Sequence, residues 1–205
     1  FCAFISFVVM FCNNIILPFY LQNVMNYSPE YAGIILMVNP IIMMVLSPFS
    51  GSLSDKIGSE LLTFIGLVLI SLGLILMSIL NVNSVLASII IFIAVISVGI
   101  GLFQPPNNSL VMSTVSKNKL GIAGSINSLV RNLGMICGIV LATTLLYSMM
   151  SLKIGYRVTD YVVGRNDAFI YGMKVVYITA AIISLVGAVL TFFRMHSKKI
   201  QDKLS

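Results

Sequence analysis

The chain has 205 residues, 59% of them in the apolar set and 9% charged, with a formal net charge of +6. A soluble domain of this length cannot bury so much apolar side chain, so lipid is the solvent for most of it. The positive balance does not point to nucleic acid, because the basic residues sit in loops and the C-terminal tail, not in a patch interleaved with aromatics.

Cys2, Cys12 and Cys137 lie in apolar runs without C-x-x-C spacing and read as buried, inert thiols. The single histidine, His196, stands in the basic tail without ligand-like neighbours, so neither a metal nor a cofactor is expected. The sequence opens Phe1-Cys2-Ala3-Phe4, already inside an apolar run and without a signal-peptide pattern. That reads as a fragment or processed piece of something longer.

Six apolar segments are predicted as membrane-spanning helices, at about 1–25, 31–50, 61–80, 85–115, 120–149 and 168–194. They form an all-α six-helix bundle, 1–194, followed by a basic tail, 195–205. In the first segment Asn13 and Asn14 precede Pro18 and Gln22, and helical spacing places Asn14, Pro18 and Gln22 on one face. Interhelical hydrogen bonding and a cavity wall both account for that face. The second segment carries Asn39-Pro40 and Ser47-Pro48, which kink or shape it.

Between the second and third segments lies Gly51-Ser52-Leu53-Ser54-Asp55-Lys56-Ile57-Gly58, a short polar interruption whose glycines suit a tight reversal. The fourth segment ends Gly99-Ile100-Gly101-Leu102-Phe103-Gln104-Pro105-Pro106-Asn107-Asn108. Two prolines and three amides so close together predict irregular backbone lining a watery path; a satisfied kink near the cytoplasmic end is the plainer account. Ser97, Gly101, Gln104 and Asn108 share one face there.

The fifth segment holds Arg131 in an otherwise uncharged run, with Gly124, Asn127, Gly134 and Gly138 assigned to the same face. Exposing that arginine to lipid would cost about 3 kcal/mol even on insertion scales, so it should face protein or water. Gly134-x-x-x-Gly138 suits close helix packing. The sixth segment places Tyr177, Ala181, Ser184, Gly187, Ala188 and Thr191 on one face, which ordinary packing explains. With the 51–60 loop on the cytoplasmic side, Lys56, Lys117, Lys119, Arg194, Lys198, Lys199 and Lys203 lie inside. The opposite side holds Lys153, Arg157 and Arg165, in keeping with the positive-inside rule, and the tail is cytoplasmic.

The spacing G-x-L-x-D-x-x-G resembles the loop motif of the major facilitator superfamily, which joins the second and third helices of each six-helix half. Leu17-Pro18-Phe19-Tyr20-Leu21-Gln22 and the run from Gly99 through Asn107 to Arg131-Asn132-Leu133-Gly134 extend the resemblance to nearly the whole chain. It looks closest to the C-terminal half of the fourteen-helix multidrug:proton antiporters. The resemblance implies a 3+3 inverted repeat, with the first and fourth helices lining a central cavity. By the same analogy the second and fifth helices meet the missing N-terminal half. Asn13, Asn14, Gln22, Gln104, Asn107, Asn108 and Arg131 then become substrate-path candidates, with Gly134 and Gly138 near the junction of the halves. Gly51, Asp55, Lys56 and Gly58 are the cytoplasmic loop motif, in which the resemblance implies a latch role for Asp55. The family's basic pair after the second glycine is replaced here by Ser59 and Glu60, which implies a weak or one-sided latch.

The function so implied is alternating-access transport in the cell membrane, as proton-coupled export of drugs or other hydrophobic organic solutes. A vitamin or metabolite carrier is the rival within the class, and a non-transporting truncated fragment or scaffold the rival outside it. An enzyme is disfavoured, since no nucleophile–base set, metal spacing or intramembrane acid pair is found.

Overall fold

A chain immersed in lipid must satisfy its backbone polar groups within itself, and helices do so segment by segment. The computed structural model describes residues 2–204, with side chains described at 2–116 and 118–195. Among these residues every regular element is helical: α1 (Cys2–Phe19), a π-turn (Tyr20–Val24), α2 (Pro29–Leu36) and α3 (Val38–Ile57). Then follow α4 (Ser59–Met77), α5 (Leu86–Ser113), a 3₁₀ turn (Lys117–Lys119), α6 (Leu120–Ile154) and α7 (Asn166–Leu204). They supply six spans long and apolar enough to cross a membrane, with α1 and the π-turn forming the first and α2 with α3 the second.

The boundaries follow from local chemistry. Ser28 caps α2 by accepting from the Tyr31 N–H, Pro29 takes the first turn where its missing donor costs nothing, and Glu30 faces the helix dipole. α6 stops where Gly155 turns left-handed at φ +93° and donates to the Ser151 carbonyl at 2.8 Å.

Three expectations change. The polar stretch 51–58 is not a loop, because α3 continues through Gly51 to Ile57 and the chain reverses only at Gly58, φ +93°. Nothing in Gly51–Ile57 forbids a helix, and Ser50 and Ser52 turn their hydroxyls back onto the carbonyls of Ser47 and Phe49. A Ser54–Ser59 hydroxyl bond of 2.6 Å straps the two helices across the turn. Secondly, α5 runs unbroken through Pro105 and Pro106. Their rings free the carbonyls four residues back without stopping the helix, as happens where neighbouring groups re-satisfy them. Thirdly, the second span is two helices that meet at Met37.

In packing, α4 lies against α5 and α7, α1 against α6 and α7, and α3 chiefly against α5. Glycines permit the closest approaches. A Cβ at Gly134 would stand 2.7 Å from Phe7 Cβ, and one at Gly138 would meet the Val8 carbonyl oxygen. These two glycines therefore seat α6 on α1 inside the bundle, not at a junction with another half. Arg131 does not share their environment and is exposed. The second span is only 11% buried in its most apolar window and the fifth 28%, against 44–56% for the other four.

Candidate functional site

The spans enclose a cavity of about 220 Å³ lined by Asn13, Asn14, Leu17, Pro18, Leu36, Asn39, Ile93 and Ser97. Asn13, Asn39 and Ser97 each fall near the middle of their span, on α1, α3 and α5. Pro18 lies one turn beyond Asn14, and the π-turn follows it. The wider π spacing shifts the register after Phe19, so the face drawn through Asn14, Pro18 and Gln22 does not hold. Gln22 is exposed and does not line the cavity.

The polar groups differ in how they are held. Asn13 is 5% exposed, and its Oδ1 accepts from the fully buried Tyr177 hydroxyl at 3.3 Å. The Ser97 hydroxyl donates to the Ile93 carbonyl of its own helix at 2.8 Å. Asn14 is exposed and Asn39 half-buried. No ionisable side chain lines the space. Carboxamides donate and accept at once, so the arrangement suits a neutral solute with hydrogen-bonding edges and apolar faces.

Gln104 stands apart from that set. It lines a crevice of about 10 Å³ with Ser6, Phe7, Met10, Ile70, Ile100 and Phe103, too small for a solute. Asn107 is half-buried, while the exposed Asn108 accepts from Asn127 Nδ2 at 3.1 Å and ties α5 to α6. Asp55 and Lys56 are exposed in the last turn of α3. Glu60, where the family motif has a basic residue, lies 3.8 Å from Arg194 and joins the start of α4 to α7. Among the described residues no group of three or more potential ligands could hold a metal.

Of the candidates, then, only Asn13 and Asn14 meet in the cavity. Sequence reasoning missed Asn39, taken there for a kink, and Tyr177, taken for packing. Their signal was an amide next to a mid-span proline and a lone hydroxyl in an apolar helix. A larger open groove of about 860 Å³ lies between α6 and residues 155–159, lined by Tyr147, Ser151, Arg157 and Thr159 among others. It shares no residue with the mid-span cavity.

The sequence profile of the Major Facilitator Superfamily matches residues 1–204. The chain is 31% identical over 197 residues to "Riboflavin transporter RibZ" of Clostridioides difficile (strain 630), covering 95% of this chain and 41% of that protein. It is 28% identical over 166 residues to "Multidrug transporter protein MdtP" of Bacillus subtilis (strain 168), covering 81% of this chain and 30% of that one. With "Lincomycin resistance protein LmrB" of Listeria monocytogenes it shares 24% over 179 residues, 83% of this chain and 38% of that protein. The chain thus spans well under half the length of these relatives. An end-to-end profile match and six apolar spans without a strand among the described residues agree: the chain is a multi-pass membrane protein with the six-helix half of a major facilitator fold, and it belongs to the major facilitator superfamily.

Proposed function

We propose that this chain is one half of a secondary transporter that moves a neutral, hydrogen-bonding organic solute across the cell membrane by alternating access. The observation that carries the reading is the mid-span meeting of Asn13, Asn14, Asn39 and Ser97 around a space with no ionisable lining. Substrate sites of such carriers lie near the bilayer midplane. A cation site would call for a carboxylate, so the lining favours a vitamin-like metabolite over a cationic drug, and the relative named as a riboflavin transporter supports the same choice.

The partner we assign is a companion bundle of the same transporter, seated on the little-buried second and fifth spans. The tail faces the cytoplasm in this reading, by the loop charges given above. For direction and coupling we propose export driven by proton entry; relatives named for multidrug transport and lincomycin resistance support export. Glu30, Asp55, Glu60, Asp160 and Asp167 sit at or beyond span ends, so the coupling acid is assigned to the companion bundle.

The test uses the full-length parent in proteoliposomes, with riboflavin and ethidium as probes. Riboflavin transport that Leu36→Trp abolishes is the expected result. Ethidium transport without riboflavin transport, or indifference to Leu36→Trp, would overturn the substrate reading in favour of drug export. A rate unchanged when the pH gradient is collapsed would remove the proton.

A further inference from the structure

The Asn13 carboxamide has one acceptor oxygen and two N–H donors. Its oxygen accepts from Tyr177, whose side chain is fully buried in the apolar core on α7. Among the described residues the Asn13 nitrogen bonds to none, yet no buried side-chain nitrogen or oxygen there lacks a partner. The nitrogen is therefore the part of the amide that opens on the cavity, consistent with the place of Asn13 in its lining.

We propose that Tyr177 is a positioning residue that sets the hydrogen-bond polarity of this cavity, making Asn13 a donor, so that the solute presents a carbonyl or ring-nitrogen acceptor to it. This rests on the reading of the cavity as the substrate path. The volume of about 220 Å³ on this side of the path has room for one or two fused rings of a larger solute. Leu17, Pro18, Leu36 and Ile93 offer apolar contact to the faces of such rings. The substrate class is an uncharged heterocycle whose edge carries acceptors.

A free amide could turn over and offer its oxygen instead. With its oxygen accepting from Tyr177, turning would make the amide donate to the tyrosine oxygen and leave the buried hydroxyl proton without an acceptor among the described residues. Tyr177 thus acts on the solute only through Asn13, 164 positions away in sequence.

The experiment is equilibrium binding of two planar probes to the purified full-length transporter in nanodiscs. Caffeine carries only acceptors, and indole only an N–H donor. Wild type is expected to bind caffeine saturably. Tyr177→Phe should weaken caffeine about 3–10-fold, the worth of one oriented hydrogen bond, and leave indole equal or tighter. A merely structural defect would weaken both probes together, and that result overturns the proposal. Asn13→Asp, a second variant that keeps the side-chain shape, presents only acceptors when ionised and should shift the preference toward indole; an unchanged ratio also overturns it. Leu36→Trp separates the two levels of the argument by filling the cavity. If it leaves both probes unaffected, the cavity is not the path. If it removes both while Tyr177→Phe keeps the wild-type ratio, only the orientation claim falls. Absence of saturable caffeine binding to wild type rejects the substrate class.

Discussion

Gly138→Ala puts the packing of α6 on α1 to a quantitative test. A Cβ built on Gly138 meets the Val8 carbonyl oxygen, with Phe11 Cβ at 3.1 Å and the Val8 carbonyl carbon also at 3.1 Å. Backbone cannot yield as the end of a long side chain can, so α1 and α6 must separate along the contact. The same separation loosens the Cys12 thiol, which donates to the Gly138 carbonyl at 3.2 Å. Overpacking of this kind costs about 1–3 kcal/mol. Against it stands the helix preference of alanine over glycine, worth about 0.5–1 kcal/mol, so the net change is a loss on the order of 1–2 kcal/mol. Gly121, in the same helix, has nothing within 4 Å of the place a Cβ would take, so Gly121→Ala keeps the propensity gain alone. The assay is thermal unfolding of the two variants of the full-length parent in one detergent. Gly138→Ala should melt several degrees lower than the parent and Gly121→Ala equal or slightly higher. If the two variants shift in the same direction by similar amounts, close α1–α6 packing is not what holds this side of the bundle.

At Gly58, φ is +93°, a conformation that costs an L side chain about 1–2 kcal/mol, so Gly58→Ala should lower the melting temperature although no atom lies within 4 Å of the new methyl. Gly33→Ala, equally unobstructed but without a positive φ, is its control and should not lower it. Arg131 is exposed and makes no hydrogen bond or ion pair among the described residues, so Arg131→Ala should abolish transport by the full-length parent while membrane abundance stays near normal; equal loss of both would make it a structural residue.

The fold was legible because lipid leaves so few solutions. Long apolar runs bounded by Ser28-Pro29, Gly58 and Gly155 become spans, and Gly134-x-x-x-Gly138 becomes a close contact wherever another helix can reach it. The errors share one cause, which is that local breakers were read without the surroundings that overrule them. Pro105-Pro106 deletes donors, but Pro106 is buried in a helix that α4 and α3 support from the side. Gly51 is free to turn and does not, since α3 extends past the apolar run. The candidate site was legible only where neighbours in sequence are neighbours in space. Asn13 and Asn14 are adjacent on one helix, but Asn39, Ser97 and Tyr177 come from three other helices, and no local pattern records which faces of those helices meet. Gln22 shows a further limit: a single π-turn rotates everything beyond it, and period-3.6 reasoning carries no sign of such a turn.

The hydroxyls, thiols and amides inside the bundle fall into two sets with different consequences. Ser6, Ser71 and Ser97 return their protons to carbonyls of their own helices, which satisfies them without joining anything. Others cross between helices: Ser184 to the Leu67 carbonyl, Cys12 to the Gly138 carbonyl, Tyr177 to Asn13, Cys2 to the Gly187 carbonyl and Thr191 to the Cys2 sulfur. All but the first involve α1: Cys12 donates from it to α6, Tyr177 of α7 donates to Asn13 in the same turn, and Cys2 ties its start to α7. The C-terminal end of the first span is held likewise, Tyr20 donating to the Asn81 carbonyl at 2.8 Å and Tyr161 to the Asn23 carbonyl at 3.1 Å. None of these bonds reaches α2 or α3, whose Leu36 and Asn39 share the cavity lining with Asn13 and Asn14. α1 is thus hydrogen-bonded on the side of α6 and α7 and lines the cavity on the other. That asymmetry explains why two asparagines side by side in sequence differ so much: Asn13 accepts from Tyr177 on the hydrogen-bonded side and is buried, while Asn14 is exposed and makes no hydrogen bond among the described residues.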